Sequence, residues 1–273
     1  MTNYRLVAFD MDGTLLDSSR GIQPGTRRAF EAMHAAGTRI MLASGRPIPG
    51  LRMLARTLDL GENLVFAGMN GSVVVDQATG AEIARHPLPE AVSTELIRRA
   101  EAHGITVMLP HGDQLIVVDG SHPRVQYEAA GNDLAIQVVA DLTEVEGPTK
   151  VLFCADREAM EPLYRELVED FTGRIELAFS SPIYLEATAY GVDKGSAIQD
   201  YCDANELTVD QVIAFGDNGN DVNMLRRAGL GVCMGNGIPE AQAAADVVTT
   251  SNNDEGIARV LVKYFDFELP ATS

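Results

Sequence analysis

A doubly wound α/β fold with a mostly parallel sheet, interrupted by an inserted α+β module, is predicted by three observations. Short apolar runs alternate with helix-like segments at both ends of the chain. Three of those runs, Leu6–Phe9, Arg39–Ala43 and Val212–Phe215, end in polar turns that contain glycine. Between the two ends lie about 100 residues with a different, strand-rich rhythm.

Taken in order, Leu6–Phe9 reads as a buried strand cut off by Asp10, and Arg27–Ala36 as a helix with Pro24 near its start and Gly37 at its stop. Arg39–Ala43 is a second apolar strand, Leu51–Leu58 an amphipathic helix and Leu64–Ala67 a third strand. This βαβαβ order argues for parallel strands with right-handed crossovers. Asn70-Gly71 then signals a hairpin into Val73–Val75, followed by a turn at Asp76–Gly80 and a strand at Ile83–Arg85. The segment His86-Pro87-Leu88-Pro89 has the composition of a linker. Beyond it, helices are expected at Glu90–Ala102, Arg124–Ala130 and Arg157–Phe171. Strands are expected at Thr106–Leu109, Gln114–Asp119, Val151–Cys154, Ile175–Ala178 and Tyr184–Ala187. Such a run of strands with few helices suggests an antiparallel α+β module inserted into the first domain. After Val192 the α/β order resumes, with helices at Lys194–Asp203, Val222–Arg227, Pro239–Ala244 and Ile257–Tyr264 and strands at Val212–Phe215, Gly231–Cys233 and Val247–Val248. The expected domains are therefore a discontinuous core over 1–86 and 190–273 and an insert over 87–189.

At 273 residues, with 46% hydrophobic and 22% charged residues, the chain has the composition of a globular protein with a sizeable core. It carries 39 Asp and Glu against 21 Lys and Arg, a net charge of −18. That surface disfavours nucleic-acid and anionic-membrane partners, and an anionic small molecule would need local neutralisation. The three cysteines Cys154, Cys202 and Cys233 are far apart and form no CxxC pair, as expected of buried thiols in a reducing compartment. No apolar run approaches the roughly 20 residues of a membrane span, and no secretory signal is visible, so a cytoplasmic location is expected.

Four segments carry chemistry. Asp10-Met11-Asp12-Gly13-Thr14 puts two carboxylates, two positions apart, where a strand runs into a glycine turn. Carboxylates there are costly to desolvate without a compensating cation, yet Asp and Gly are also ordinary turn residues. Ser44-Gly45-Arg46-Pro47 offers a hydroxyl, a flexible amide and a guanidinium at the start of a helix, where Ser44 would equally serve as an N-cap. Lys194 opens a helix after Gly191-Val192-Asp193, an unfavourable end for a cation unless an anion binds there, although a solvated surface lysine fits as well. Gly216-Asp217-Asn218-Gly219-Asn220-Asp221 adds two carboxylates and two amides after another strand. Oxygen-rich, sulfur-free clusters of this kind suit Mg²⁺.

Together these segments resemble, in order, the four motifs of the haloacid dehalogenase superfamily: Asp10-x-Asp12-Gly13-Thr14, Ser44-Gly45-Arg46, Lys194-Gly195 and Gly216-Asp217-x-x-Asn220-Asp221. The large insert is similar to that of its Cof-like phosphatases, and the resemblance spans nearly the whole chain. It implies a Rossmann-like core with an α+β cap, and a Mg²⁺-dependent phosphatase acting on small phosphomonoesters such as sugar phosphates. By the same resemblance Asp10 is the nucleophile that forms an aspartyl-phosphate, and Asp12 the general acid and base. The metal ligands map to the Asp10 side chain, the Asp12 backbone carbonyl and Asp217, with Asp221 beside or on the metal. Ser44, the Gly45 amide, Lys194 and Asn220 map to phosphoryl binding, helped by the Met11 amide; Arg46 joins this candidate set.

Elementary chemistry agrees with that implication. A carboxylate attacking a phosphate dianion meets repulsion that Mg²⁺ and Lys194 would screen. Asp12 would protonate the leaving alkoxide and later deprotonate water. Members of the superfamily that displace halide typically lack the second aspartate, because halide leaves without protonation, so by the resemblance Asp12 favours phosphoryl transfer over dehalogenation. Two rivals stay open: a sugar phosphomutase with the same phosphoenzyme chemistry, and a phospho-ligand-binding regulator without turnover. The histidines His34, His86, His103, His111 and His122 show no metal-ligand spacing.

Overall fold

The core strands are nearly uninterrupted runs of Val, Leu, Ile, Phe, Met and Ala, the pattern of strands buried on both faces. The computed structural model describes residues 4–270. In chain order the first elements are β1 (Leu6–Phe9), α1 (Pro24–Ala35), β2 (Arg39–Ala43), α2 (Ile48–Thr57), β3 (Leu64–Gly68), β4 (Val73–Asp76) and β5 (Glu82–Arg85). Then come α3 (Glu90–Ala102), β6 (Thr106–His111), β7 (Gln114–Val117), α4 (Pro123–Gly131), β8 (Ala135–Val138), β9 (Lys150–Cys154), α5 (Arg157–Phe171), β10 (Ile175–Ser181) and β11 (Tyr184–Ala189). The last are α6 (Lys194–Ala204), β12 (Val212–Gly216), α7 (Val222–Arg227), β13 (Leu230–Cys233), α8 (Pro239–Ala244), β14 (Val247–Val248) and α9 (Gly256–Leu261).

The chain divides into two units. The first contains the stretch ending at Ser44, Leu54–Ala84 and the stretch from Asp193 onward. Its eight-stranded sheet has the order β14-β13-β12-β1-β2-β3-β4-β5. It is parallel from β14 to β3, and β4 is antiparallel to β3. β1 sits between β12 and β2, so the residues that follow these three strands emerge side by side at their carboxyl ends. In open α/β sheets ligands bind at that edge. Phe9 fixes the middle of the sheet, stacked on Phe215 with ring centroids 5.2 Å apart and packed on Phe30 of α1.

The second unit contains Gly45–Met53 and Arg85–Val192, with a six-stranded sheet of order β10-β11-β9-β6-β7-β8. One face packs on α3 and α5 through Val92, Leu96, Leu163, Leu167 and Phe171. The opposite face packs Met108, Leu152 and Cys154 against Val125 and Ala129 of α4. The sequence reading expects an antiparallel insert and no strand between α4 and β9. The sheet is antiparallel from β10 to β7, as expected, but the structure adds β8 as a strand, and it pairs with β7 in parallel. A parallel neighbour requires a crossover, which α4 supplies. With only four residues, mostly exposed, β8 carries too little apolar alternation to be seen in the sequence. Segment Gly45–Met53 also groups with this unit, whereas the sequence reading leaves it in the first domain. A buried pair, Lys150 and Glu186 at 3.0 Å, lies here, and Lys150 Nζ donates to the Gly45 carbonyl at 2.9 Å. Among the described residues no helix is long and apolar enough to cross a membrane.

Candidate active site

Asp10 is the first residue beyond β1, and its backbone N–H donates to the Phe215 carbonyl of β12 at 2.9 Å. This bond extends the β1–β12 ladder by one step and sets the Asp10 side chain beside the loop that follows β12. That loop folds into a short 3₁₀ turn, Gly219–Asp221, that leads into α7. Asp221 is fully buried, and its Oδ2 accepts the backbone N–H groups of Asp217 and Asn218, both at 2.9 Å. On the other side, α6 begins at Lys194 behind an Asp193–Ser196 capping box. Lys194 is 0% exposed. Its Nζ donates to Asp10 Oδ1 at 2.5 Å and to Asp221 Oδ1 at 2.7 Å. Of the two readings open for Lys194 in the sequence, burial rules out the solvated one.

Carboxylate oxygens of Asp10, Asp217 and Asp221 lie within 4.8 Å of one another. Burial pushes the Asp10 carboxyl up to about 8, against the opposing pull of Lys194. Burial also raises Asp217, and the neighbouring Asp221 adds to the effect. Lys194 loses hydration as well, but Asp10 and Asp221 more than offset that loss and hold it protonated. One ammonium against three carboxylates leaves negative charge uncompensated. The donor set is all oxygen, and its raised carboxyls are those a nearby dication would stabilise in the ionised form. These residues therefore fit a hard divalent cation.

Thr14 and Gly13 shape the same place. Thr14 Oγ1 donates to Asp217 Oδ1 at 2.7 Å. Gly13 has φ +90°, and a Cβ there would sit 2.5 Å from Asp217 Oδ2, so only glycine fits. Asp12 differs sharply from Asp10: its side chain is 57% exposed and faces Arg20 Nη2 at 3.8 Å. Arg20 projects from a tight loop organised by Asp17, whose Oδ1 accepts from Ser19 N, Ser19 Oγ and Gly21 N.

The first unit also places the other phosphate-binding candidates. Met11 is buried and its carbonyl accepts from Leu16 N. Ser44 is buried at the end of β2, where its N–H donates to Ala67 O. Asn220 is exposed, and its Nδ2 donates to Asn70 Oδ1 at 3.2 Å. Gly45 and Arg46 belong to the second unit. There Arg46 helps stabilise the charged form of Glu128, whose carboxyl is raised chiefly by burial. Sequence reasoning names no site role for Thr14, Arg20 or Asn70. The Asp10-x-Asp12-Gly13-Thr14 segment contains Thr14, but nothing local marks the other two.

Comparisons with known proteins identify the family. The sequence profile of the haloacid dehalogenase-like hydrolases matches residues 7–261. The chain is 28% identical to the 5-amino-6-(5-phospho-D-ribitylamino)uracil phosphatase YitU of Bacillus subtilis, over 97% of this chain and 98% of that one. It is also 28% identical to the HMP-PP phosphatase of Yersinia pseudotuberculosis, over 87% and 86% of the two chains. The crystal structure of a haloacid dehalogenase-like hydrolase from Bacteroides thetaiotaomicron superposes with a TM-score of 0.85 at 30% identity, covering 96% of this chain and all of that one.

Proposed function

We propose that this chain, which belongs to the haloacid dehalogenase-like hydrolase family, hydrolyses small phosphomonoesters by a Mg²⁺-dependent route through Asp10. The observation that carries the reading is the arrangement of Asp10. It is a buried carboxylate held by a buried ammonium beside two further aspartates, with a second, solvent-facing carboxylate at Asp12. A structural ion pair needs no such exposed partner two residues away.

In this reading an Asp10 oxygen attacks phosphorus and the bond from phosphorus to the ester oxygen breaks. Asp12 delivers its proton to the departing alkoxide. Asp12, now ionised, takes a proton from water as that water attacks the phosphoryl group, which leaves as inorganic phosphate and restores the Asp10 carboxylate. Lys194 holds Asp10 in place and lowers the repulsion between the carboxylate and the incoming anion. Asp10, the Asp12 carbonyl, Asp217 and Asp221 would hold Mg²⁺, which when bound supplies charge neutralisation and a template for the phosphoryl oxygens. Ser44, Asn220 and the Met11 amide complete the phosphate-binding set on the first unit. The relatives' names favour a small phosphorylated metabolite as substrate. A reducing cytoplasm suits the three unpaired, buried thiols.

The deciding experiment measures phosphate release from a panel of metabolite phosphomonoesters, with rapid quench and mass mapping of the phosphoryl group. Asp10→Asn should form no covalent adduct. Asp12→Ala should lose about 10²–10⁴-fold on alkyl esters and less on an activated aryl phosphate, whose leaving group needs no proton. A phosphoryl group found on a histidine or on Ser44, or equal losses on both ester types, would overturn the mechanism. A requirement for a bisphosphorylated sugar would point to a mutase instead.

A further inference from the structure

The turn after β3, Met69-Asn70-Gly71, is more than a hairpin connection. An ordinary two-residue hairpin turn needs at most two residues with positive φ. Here three follow one another, with φ of 51°, 55° and 97°, and the first two carry a Cβ that disfavours this region. Such backbone persists only where its surroundings over-determine it. Three bonds or contacts do so. The Asn70 N–H donates to the Ser44 carbonyl at 2.9 Å. Asn70 Oδ1 accepts from Asn220 Nδ2 at 3.2 Å. Gly71 lies so close to the residue before Lys194 that a Cβ would sit 2.2 Å from the Asp193 carbonyl oxygen. One turn thus touches the Ser44 loop, the start of α6 and the Asn220 turn.

We infer that Asn70 is a positioning residue for phosphate recognition, acting by fixing the Asn220 carboxamide; the inference rests on the phosphatase reading above. Asn220 is exposed, in a short 3₁₀ turn, and its amide carries two N–H donors. With one donor taken by Asn70, the direction of the other is set before an anion arrives. Recognition then avoids the cost of ordering a loose side chain. The effect falls on binding more than on the chemical step, because the Asn70 side chain acts on Asn220, which is a phosphate-binding candidate and not a reacting group.

Asn70→Gly is the informative variant, since glycine adopts the left-handed backbone freely and the change removes only the side chain. Its kinetics on para-nitrophenyl phosphate with Mg²⁺ are compared with wild type, and binding of inorganic phosphate is measured by titration calorimetry. KM and the phosphate Kd should both rise by about 3- to 10-fold, the range of one hydrogen bond, with kcat changed by less than about 2-fold. The unfolding midpoint should stay unchanged. Asn220→Ala should show a similar or larger loss, and Asn70→Gly/Asn220→Ala no more than Asn220→Ala alone. Wild-type values of KM and Kd in Asn70→Gly would overturn the inference, as would additive losses in the double variant, or a joint fall in kcat and midpoint. If the wild-type chain neither hydrolyses the ester nor binds phosphate, the phosphatase reading fails and takes this inference with it. Active wild type with an indifferent Asn70→Gly sinks the inference alone.

Discussion

Replacing Lys194 by Met isolates the electrostatics of the aspartate cluster, because Met fills much of the space but carries no charge. Lys194 is fully buried and donates to Asp10 at 2.5 Å and to Asp221 at 2.7 Å. Removing it leaves three carboxylates with oxygens within 4.8 Å. At an effective dielectric constant of about 20, each ionised pair at that distance repels by about 3.5 kcal/mol. Removing one partner of a buried pair typically costs about 3–5 kcal/mol. For a unit of this size that corresponds to a fall of about 8–15 °C in the unfolding midpoint. The sign with pH follows from the raised Asp10 and Asp217 carboxyls. A carboxyl raised on folding contributes stability that is present at low pH and lost as pH rises through its folded value. Without Lys194 the carboxyls rise further, so the gap from wild type should be small near about pH 5 and full near about pH 8. Excess Mg²⁺ should narrow it again by restoring positive charge. Thermal unfolding followed by circular dichroism at the two pH values, with chelator and with Mg²⁺, reads all of this. An equal fall at both pH values, or a larger one at low pH, would refute the reasoning.

Three further outcomes are expected. Asp217→Ala removes a carboxylate that Thr14 holds at 2.7 Å, and should weaken Mg²⁺ binding and turnover by more than the roughly 10–100-fold that partners of metal ligands cost, with the far-ultraviolet circular dichroism unchanged; full activity in this variant would remove Asp217 from the metal site. In the metal-free protein Asp10 should keep its proton up to about pH 8, so Mg²⁺ affinity should climb as pH rises toward that value and binding should release protons, as calorimetry in two buffers of different ionisation heat can measure; affinity that is flat or falls with rising pH contradicts the raised Asp10 carboxyl. In the second unit Lys150→Met should destabilise by about 3–5 kcal/mol by removing the buried ammonium 3.0 Å from Glu186, and Lys150→Met/Glu186→Leu should recover about half or more of that loss in chemical unfolding.

Much of the first unit is legible in the chain itself. Leu6–Phe9, Arg39–Ala43 and Val212–Phe215 are strands in the structure, and the polar turns after them lie side by side because β12, β1 and β2 are parallel neighbours. Apolar runs and helix-start residues act over a few positions, so a sequence displays them directly. The spacing of Asp10, Asp12, Asp217 and Asp221 is likewise visible as a run of residue types. The short edge strand β8 is not, since four half-solvated residues carry little pattern.

What only the tertiary structure decides is the environment of the charged and polar groups. Lys194 fits a solvated helix start as well as it fits the site; its burial depends on Asp10, 184 positions away, and on Asp221. Asn70-Gly71 reads as a hairpin signal, and its link to Asn220 crosses 150 positions. Lys150 and Glu186 look like surface charges until β9 and β11 pair and bury them together. Hydrophobic periodicity and turn chemistry are local and so are written in neighbouring residues. Desolvation and the partners that offset it are set by whichever distant segments the fold brings near, and no local pattern encodes them.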